Sequence, residues 1–105
     1  MKVYLTGPLN LGAEHFQQMA EARYRLPKTV EVTSPLDSID TDQQDGESMK
    51  TYLSKRIKLM LEADAIVTMD HCDIDPVSKS EVSLARTADM QVIPYWKFLA
   101  DHANS

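Results

Sequence analysis

The chain predicts a doubly wound α/β fold, a parallel sheet with helices on both faces. Three observations predict it. Four short β-prone runs, "KVYLTG", "TVEVTSP", "DAIVTM" and "QVIPYW", recur along the chain. Between them lie longer segments whose apolar residues repeat at helical spacing, and strands alternating with helices build parallel sheets. The 105 residues, 43% hydrophobic and 26% charged, suit one domain over 1–105 with a single core.

Each element has its own signals. "KVYLTG" is a buried first strand that breaks at Gly7-Pro8. Over 10–26 the apolar positions Ala13, Phe16, Ala20 and Tyr24 predict a helix, with Asn10 available as cap and Pro27 as stop. "TVEVTSP" is a short second strand ended by Ser34-Pro35, followed by the acidic loop "DSIDTDQQDGE". Met49, Leu53, Ile57, Met60 and Leu61 form one face of a second helix, with Lys50, Lys55 and Lys58 elsewhere. Ala65 to Met69 is a third strand and "HCDIDPV" a polar loop. Residues 78–89 read as the third helix and "QVIPYW" as the last strand. Right-handed crossovers and the order 2-1-3-4, or a close relative of it, follow.

Composition narrows the function. A net charge of -5 disfavours general nucleic-acid binding, which rests on Lys and Arg at phosphates. No apolar run has the length of a membrane span and no signal-peptide layout opens the chain, so no membrane partner is expected. Cys72 is the only cysteine, which rules out an internal disulfide and points to a reducing cytoplasm. His71, Cys72, Asp73 and Asp75 match no zinc spacing, so no metal is expected. A receiver domain, of similar length and architecture, needs an acidic pair directly after the first strand, where this chain has Thr6-Gly7-Pro8.

In such sheets ligands bind beyond the carboxyl ends of the strands. Gly7-Pro8 lies there, and a glycine lets a ligand approach the backbone, although a plain strand-to-helix turn explains the pair equally well. Neither a dinucleotide fingerprint nor a P-loop is present. Ser78 and Glu81, three apart before an apolar run, read as a helix capping box. A first-turn Glu is also held ionised by the helix dipole, as a nucleophile at an anomeric carbon must be. Capping alone is the commoner role for such a pair. Losing the cap would cost about 0.5 to 2 kcal/mol. Asp37, Asp40 and Asp70 are carboxylates any of which could act as general acid or hold a sugar hydroxyl, Asp70 the more suggestive for its place at a strand end. For Asp37 and Asp40 a solvated acidic loop is the simpler reading. Tyr4 and Trp96 read first as packing residues.

These residues together resemble a known family. "VYLTGPL" looks like the Y-L-A-G-P opening of the nucleoside 2-deoxyribosyltransferase-like superfamily, whose short phage and bacterial branch has no assigned role. "SPLDSID" is similar to its NP-x-x-x-D segment, "LEADAIVTM" to its A-D strand, and Glu81 with Ala85 to its E-x-x-x-A helix. The resemblance runs from residue 2 to about 95. It implies a flavodoxin-like three-layer sandwich of four to five strands. It also implies cleavage or transfer of the N-glycosidic bond of 2'-deoxynucleosides or their 5'-monophosphates, without a cofactor. Glu81 would be the nucleophile at C1', with Asp40 and Asp70 as further catalytic carboxylates. Tyr4, Gly7, Pro8, Asp37 and Ser78 would line the substrate. A homodimer or larger homo-oligomer in a bacterial or phage-infected cytoplasm is implied as well.

Three positions depart from the family. Val77 replaces a usual Gly upstream of the nucleophile, and its branched Cβ restricts close approach. Arg56 stands where many catalytic members carry Asp, which reverses the local charge and offers a guanidinium to a phosphate. Asp89 stands where a helix-ending Gly is usual. The alternative that follows from Val77 and Arg56 is a nucleotide-binding module of the same fold without chemistry.

Overall fold

The computed structural model describes residues 1–7, 13–35, 49–69 and 75–102. Its elements run β1 (Lys2–Thr6), α1 (Ala13–Arg25), β2 (Glu31–Thr33), α2 (Met49–Leu61), β3 (Ala65–Thr68), α3 (Pro76–Thr87), β4 (Gln91–Pro94) and α4 (Tyr95–His102). The strands form one parallel sheet in the order β2-β1-β3-β4, as the alternation predicts. The fold is a flavodoxin-like α/β sandwich. Val3 to Thr6 at the centre of the sheet are fully buried, as a strand covered on both faces requires.

The two-residue period of a strand divides the core. Val3, Leu5 and Val67 point to one face, where they pack with Met19, Ala22 and Leu26 of the α1 region and Phe98 of α4. Tyr4 and Ile66 point to the other, with Met60 of α2 and Ala85 of α3. Thr6 shares that second face with Tyr4, two residues away on β1.

Several boundaries and faces differ from the sequence reading. Among the described side chains the buried positions are Met19 and Ala22 on α1 and Leu26 just past its end, while Ala20 and Tyr24 face solvent, Tyr24 at 90% exposure. Leu61 is also exposed, because α2 turns Arg56 and Met60, one turn apart, toward the sheet. The last strand stops at Pro94, and "YWKFLADH" is a fourth helix. Tyr95, Phe98, Leu99 and His102 have helical spacing, which outweighs the β propensity of the leading aromatics. Phe98 is the buried anchor of this helix and Trp96, expected to pack, is 67% exposed.

The start of α3 is also revised. It begins at Pro76 with Asp75 as N-cap, whose carboxylate accepts from Ser78 N at 3.1 Å and Ser78 Oγ at 2.7 Å. Asp followed by Pro is a standard cap-and-first-residue pair, since Pro at the first position lacks only an N–H that would stay unbonded. Ser78 and Glu81 therefore do not form a capping box. The far end closes as a Schellman motif. Met90 N donates to Ala85 O and Asp89 N to Arg86 O, with Asp89 at φ 59.

Candidate functional site

Glu81 is the sixth residue of α3, more than a full turn beyond the cap, so it lies outside the first turn on which the helix dipole acts. It is 3% exposed, and its carboxylate accepts from three side chains on two other elements. Oε2 accepts from Tyr4 OH at 2.6 Å and from Arg56 Nε at 3.3 Å. Oε1 accepts from Thr6 Oγ1 at 2.8 Å and from Arg56 Nη2 at 2.5 Å. The guanidinium meets the carboxylate fork to fork, the strongest geometry for such a pair.

Arg56 is fully buried. Its Nη1 donates to Tyr52 OH at 3.3 Å, and its guanidinium carbon lies 5.6 Å from the Tyr52 ring centroid, one helical turn back. Burial and then the Glu81 charge push the Tyr4 phenol far above its ordinary range, with Arg56 offsetting only part of the effect. Burial alone would lower the Arg56 guanidinium, but Tyr4 and Glu81 outweigh it and the net displacement is upward. Tyr4 is therefore a neutral donor and Arg56 a fixed cation.

A carboxylate offers about four lone-pair positions, and the donors here fill them. Attack by Glu81 on an anomeric carbon would require one of these bonds to yield. The transition state of such a reaction is oxocarbenium-like. Its positive charge would develop beside a buried guanidinium.

The other predicted residues divide clearly. Tyr4, Arg56 and Glu81 meet in this cluster. Ser78 is buried with its hydroxyl committed to Asp75, so the carboxylate nearest to it is Asp75 and not a ligand group. Gly7 sits directly under Met69. A Cβ there would meet Met69 Cβ at 2.9 Å and Met19 Cε at 3.4 Å, so the close approach it permits is the chain's own. Pro8, Asp37, Asp40 and Asp70 lie outside the described residues. Two partners were not anticipated. Thr6 was legible as the residue two beyond Tyr4 on one strand, and Asp75 as the acid directly before Pro76.

Beside the cluster a cleft of about 270 Å³ opens between α2 and α3. Leu53 and Ile57 line it from α2, Val77 and Leu84 from α3, and Arg56 and Glu81 border it. Each terminal guanidinium nitrogen keeps a second N–H with no described partner. Among the described residues no group of His, Cys, Asp and Glu is placed to hold a metal. No helix among them is long and apolar enough to cross a membrane.

No match was found among protein-family models or among curated proteins. Among solved structures, the crystal structure of a conserved protein from Enterococcus faecalis V583 superposes with a TM-score of 0.74 at 22% identity. The match covers 89% of this chain and 61% of that one, so this chain spans less than two thirds of its length. At that identity the likeness establishes the fold.

Proposed function

We propose that this chain binds a 2'-deoxynucleoside or its 5'-monophosphate at the carboxyl edge of the sheet, as a nucleoside 2-deoxyribosyltransferase-like module without glycosidic turnover. One observation carries the reading: the Glu81 carboxylate is fully hydrogen-bonded and neutralised by buried Arg56. The cleft supports it. Its apolar walls accept a flat base, and its volume is close to the lower bound of about 300 Å³ for small-molecule sites. The free N–H groups of Arg56 offer donors to a base carbonyl or a phosphate oxygen.

A second reading has its own observation. Tyr4 and Thr6 fix the orientation of Glu81 from the last residues of β1, the edge where ligands bind in sheets of this kind. Glu81 would then be the nucleophile of an N-glycosidic cleavage or transfer, with Asp40 or Asp70 as acid.

One experiment separates the two. The purified chain is titrated calorimetrically with each deoxynucleoside and 5'-monophosphate, and the same mixtures are assayed chromatographically for free base, with and without a second base. Binding without base release is expected. Base release that disappears in Glu81→Gln, in a sample shown to be folded, transfers the assignment to the glycosidic enzyme. Absence of binding at millimolar ligand removes both readings.

A further inference from the structure

The other face of α3 carries a feature unrelated to Glu81. Lys79, Ser83 and Arg86 stand at i, i+4 and i+7, on one side of the helix and about 10 Å from end to end. They overlook a trough of about 760 Å³ between α3 and the edge strand β4. The parallel register sets Thr68 beside Pro94 and Ile66 beside Val92, so the trough has an apolar floor of Val82, Val92 and Pro94. Because β4 is the outermost strand, no described element covers it.

The charge of this trough is opposite to that of the chain. The protein carries a net charge of -5, yet no acidic residue lines the trough among the described residues. Both cations are exposed, and neither side chain makes an ion pair or hydrogen bond among the described residues. Thr68, Ser83 and Thr87 add hydroxyls, and Thr87 already uses its proton on Ser83 O. Two exposed cations with hydroxyl donors, above an apolar floor, make a receptor for an anion carried on a small organic body.

We propose that the α3/β4 trough is a binding site for a phosphate-bearing small molecule, gripped by Lys79 and Arg86. The site is independent of the Glu81 cluster, which lies on the buried side of the same helix. Its simplest probe is inorganic pyrophosphate, whose charge reaches both cations.

The test is a calorimetric titration of the full chain with pyrophosphate at low salt, repeated with Lys79→Ala, Arg86→Ala and, as control, Lys97→Ala on α4. All three positions are exposed, and circular dichroism checks each fold. We expect Lys79→Ala and Arg86→Ala each to weaken binding by about tenfold, a difference that titration resolves readily. Lys97→Ala should bind as the parent does, and amide resonances of Thr68, Ser83 and Val92 should shift on titration. No binding by the parent, or equal weakening by Lys97→Ala, overturns the site.

Discussion

Arg56 and Glu81 form a buried, two-pronged ion pair, Nη2 to Oε1 and Nε to Oε2, that ties α2 to α3 beneath the carboxyl edge of the sheet. A pair like this adds little to stability against a well-packed apolar replacement, because both ions lose their water. Removing one partner is different, since the other is then stranded.

Glu81→Gln and Arg56→Met should each destabilise the fold by about 3 to 5 kcal/mol. The double variant, neutral at both positions, should recover most of that loss. Urea denaturation of the four proteins measures the cycle. Two single losses that simply add in the double variant would show that the pair does not act as a unit. A loss of this size exceeds that expected of a cap, so activity assays on Glu81→Gln need the double variant beside it.

Tyr4 supplies the pH dependence. Its phenol is neutral in the fold and lies far above its ordinary value of 10.0, first through burial and then through the Glu81 charge. The unfolded chain therefore loses this proton at a pH where the folded chain keeps it. The contribution is complete below about pH 10 and declines as pH rises above it. Tyr4→Phe removes this alkaline decline. It also removes a hydrogen bond to a charged acceptor, a loss of about 1.5 to 3 kcal/mol at neutral pH. Denaturation midpoints between neutral pH and pH 11 check both statements; an unchanged alkaline slope in Tyr4→Phe would contradict them.

Much of the fold was open to reading in the sequence, because the alternation of strands with three of the four helices follows from periodicities that local residues set, while α4 was hidden behind the β-prone aromatics that lead it. The site was less so. Glu81 was identifiable as the central carboxylate, but its partners come from β1 and α2, at sequence separations of 75 and 25 for Thr6 and Arg56. Local spacing holds no record of such distances. Arg56 reads from the sequence as a guanidinium offered to a phosphate, and its pairing with Glu81 emerges only when α2 and α3 are packed together. The capping error had a different origin. Ser78 and Glu81 satisfied the box pattern, while Asp75-Pro76 satisfied a competing one that starts three residues earlier, and the Asp carboxylate took Ser78 for itself.

That competition can be measured. Asp75→Ala should cost about 0.5 to 2 kcal/mol, as the loss of an N-cap does. Burial of Asp75 and of the Ser78 hydroxyl it receives places the value toward the upper end. Asp75→Asn keeps an acceptor oxygen and should retain much of the cap. Equal losses in the Ala and Asn variants would exclude capping as the cause.

The other end of α3 holds a residue whose replacement should improve the fold. Asp89 has φ 59, in the left-handed region that the Schellman motif demands and that a side chain tolerates poorly. Its carboxylate also sits at a helix C-terminus, where negative charge is unfavourable by about 0.3 to 1 kcal/mol. Asp89→Gly relieves both, against the greater freedom that glycine gives the unfolded chain, about 0.5 to 1 kcal/mol. The backbone hydrogen bonds from Asp89 N and Met90 N are unaffected, and Met90 keeps its place against the core beside Ala85. The net gain should be about 1 kcal/mol, which for a domain of this size raises the melting temperature by about 4 to 8 °C. Asp89→Ala loses the charge but keeps a Cβ at positive φ, so it should gain less than the glycine variant. A melting temperature for Asp89→Gly at or below that of the parent would show that the Asp side chain stabilises this turn through a contact of its own.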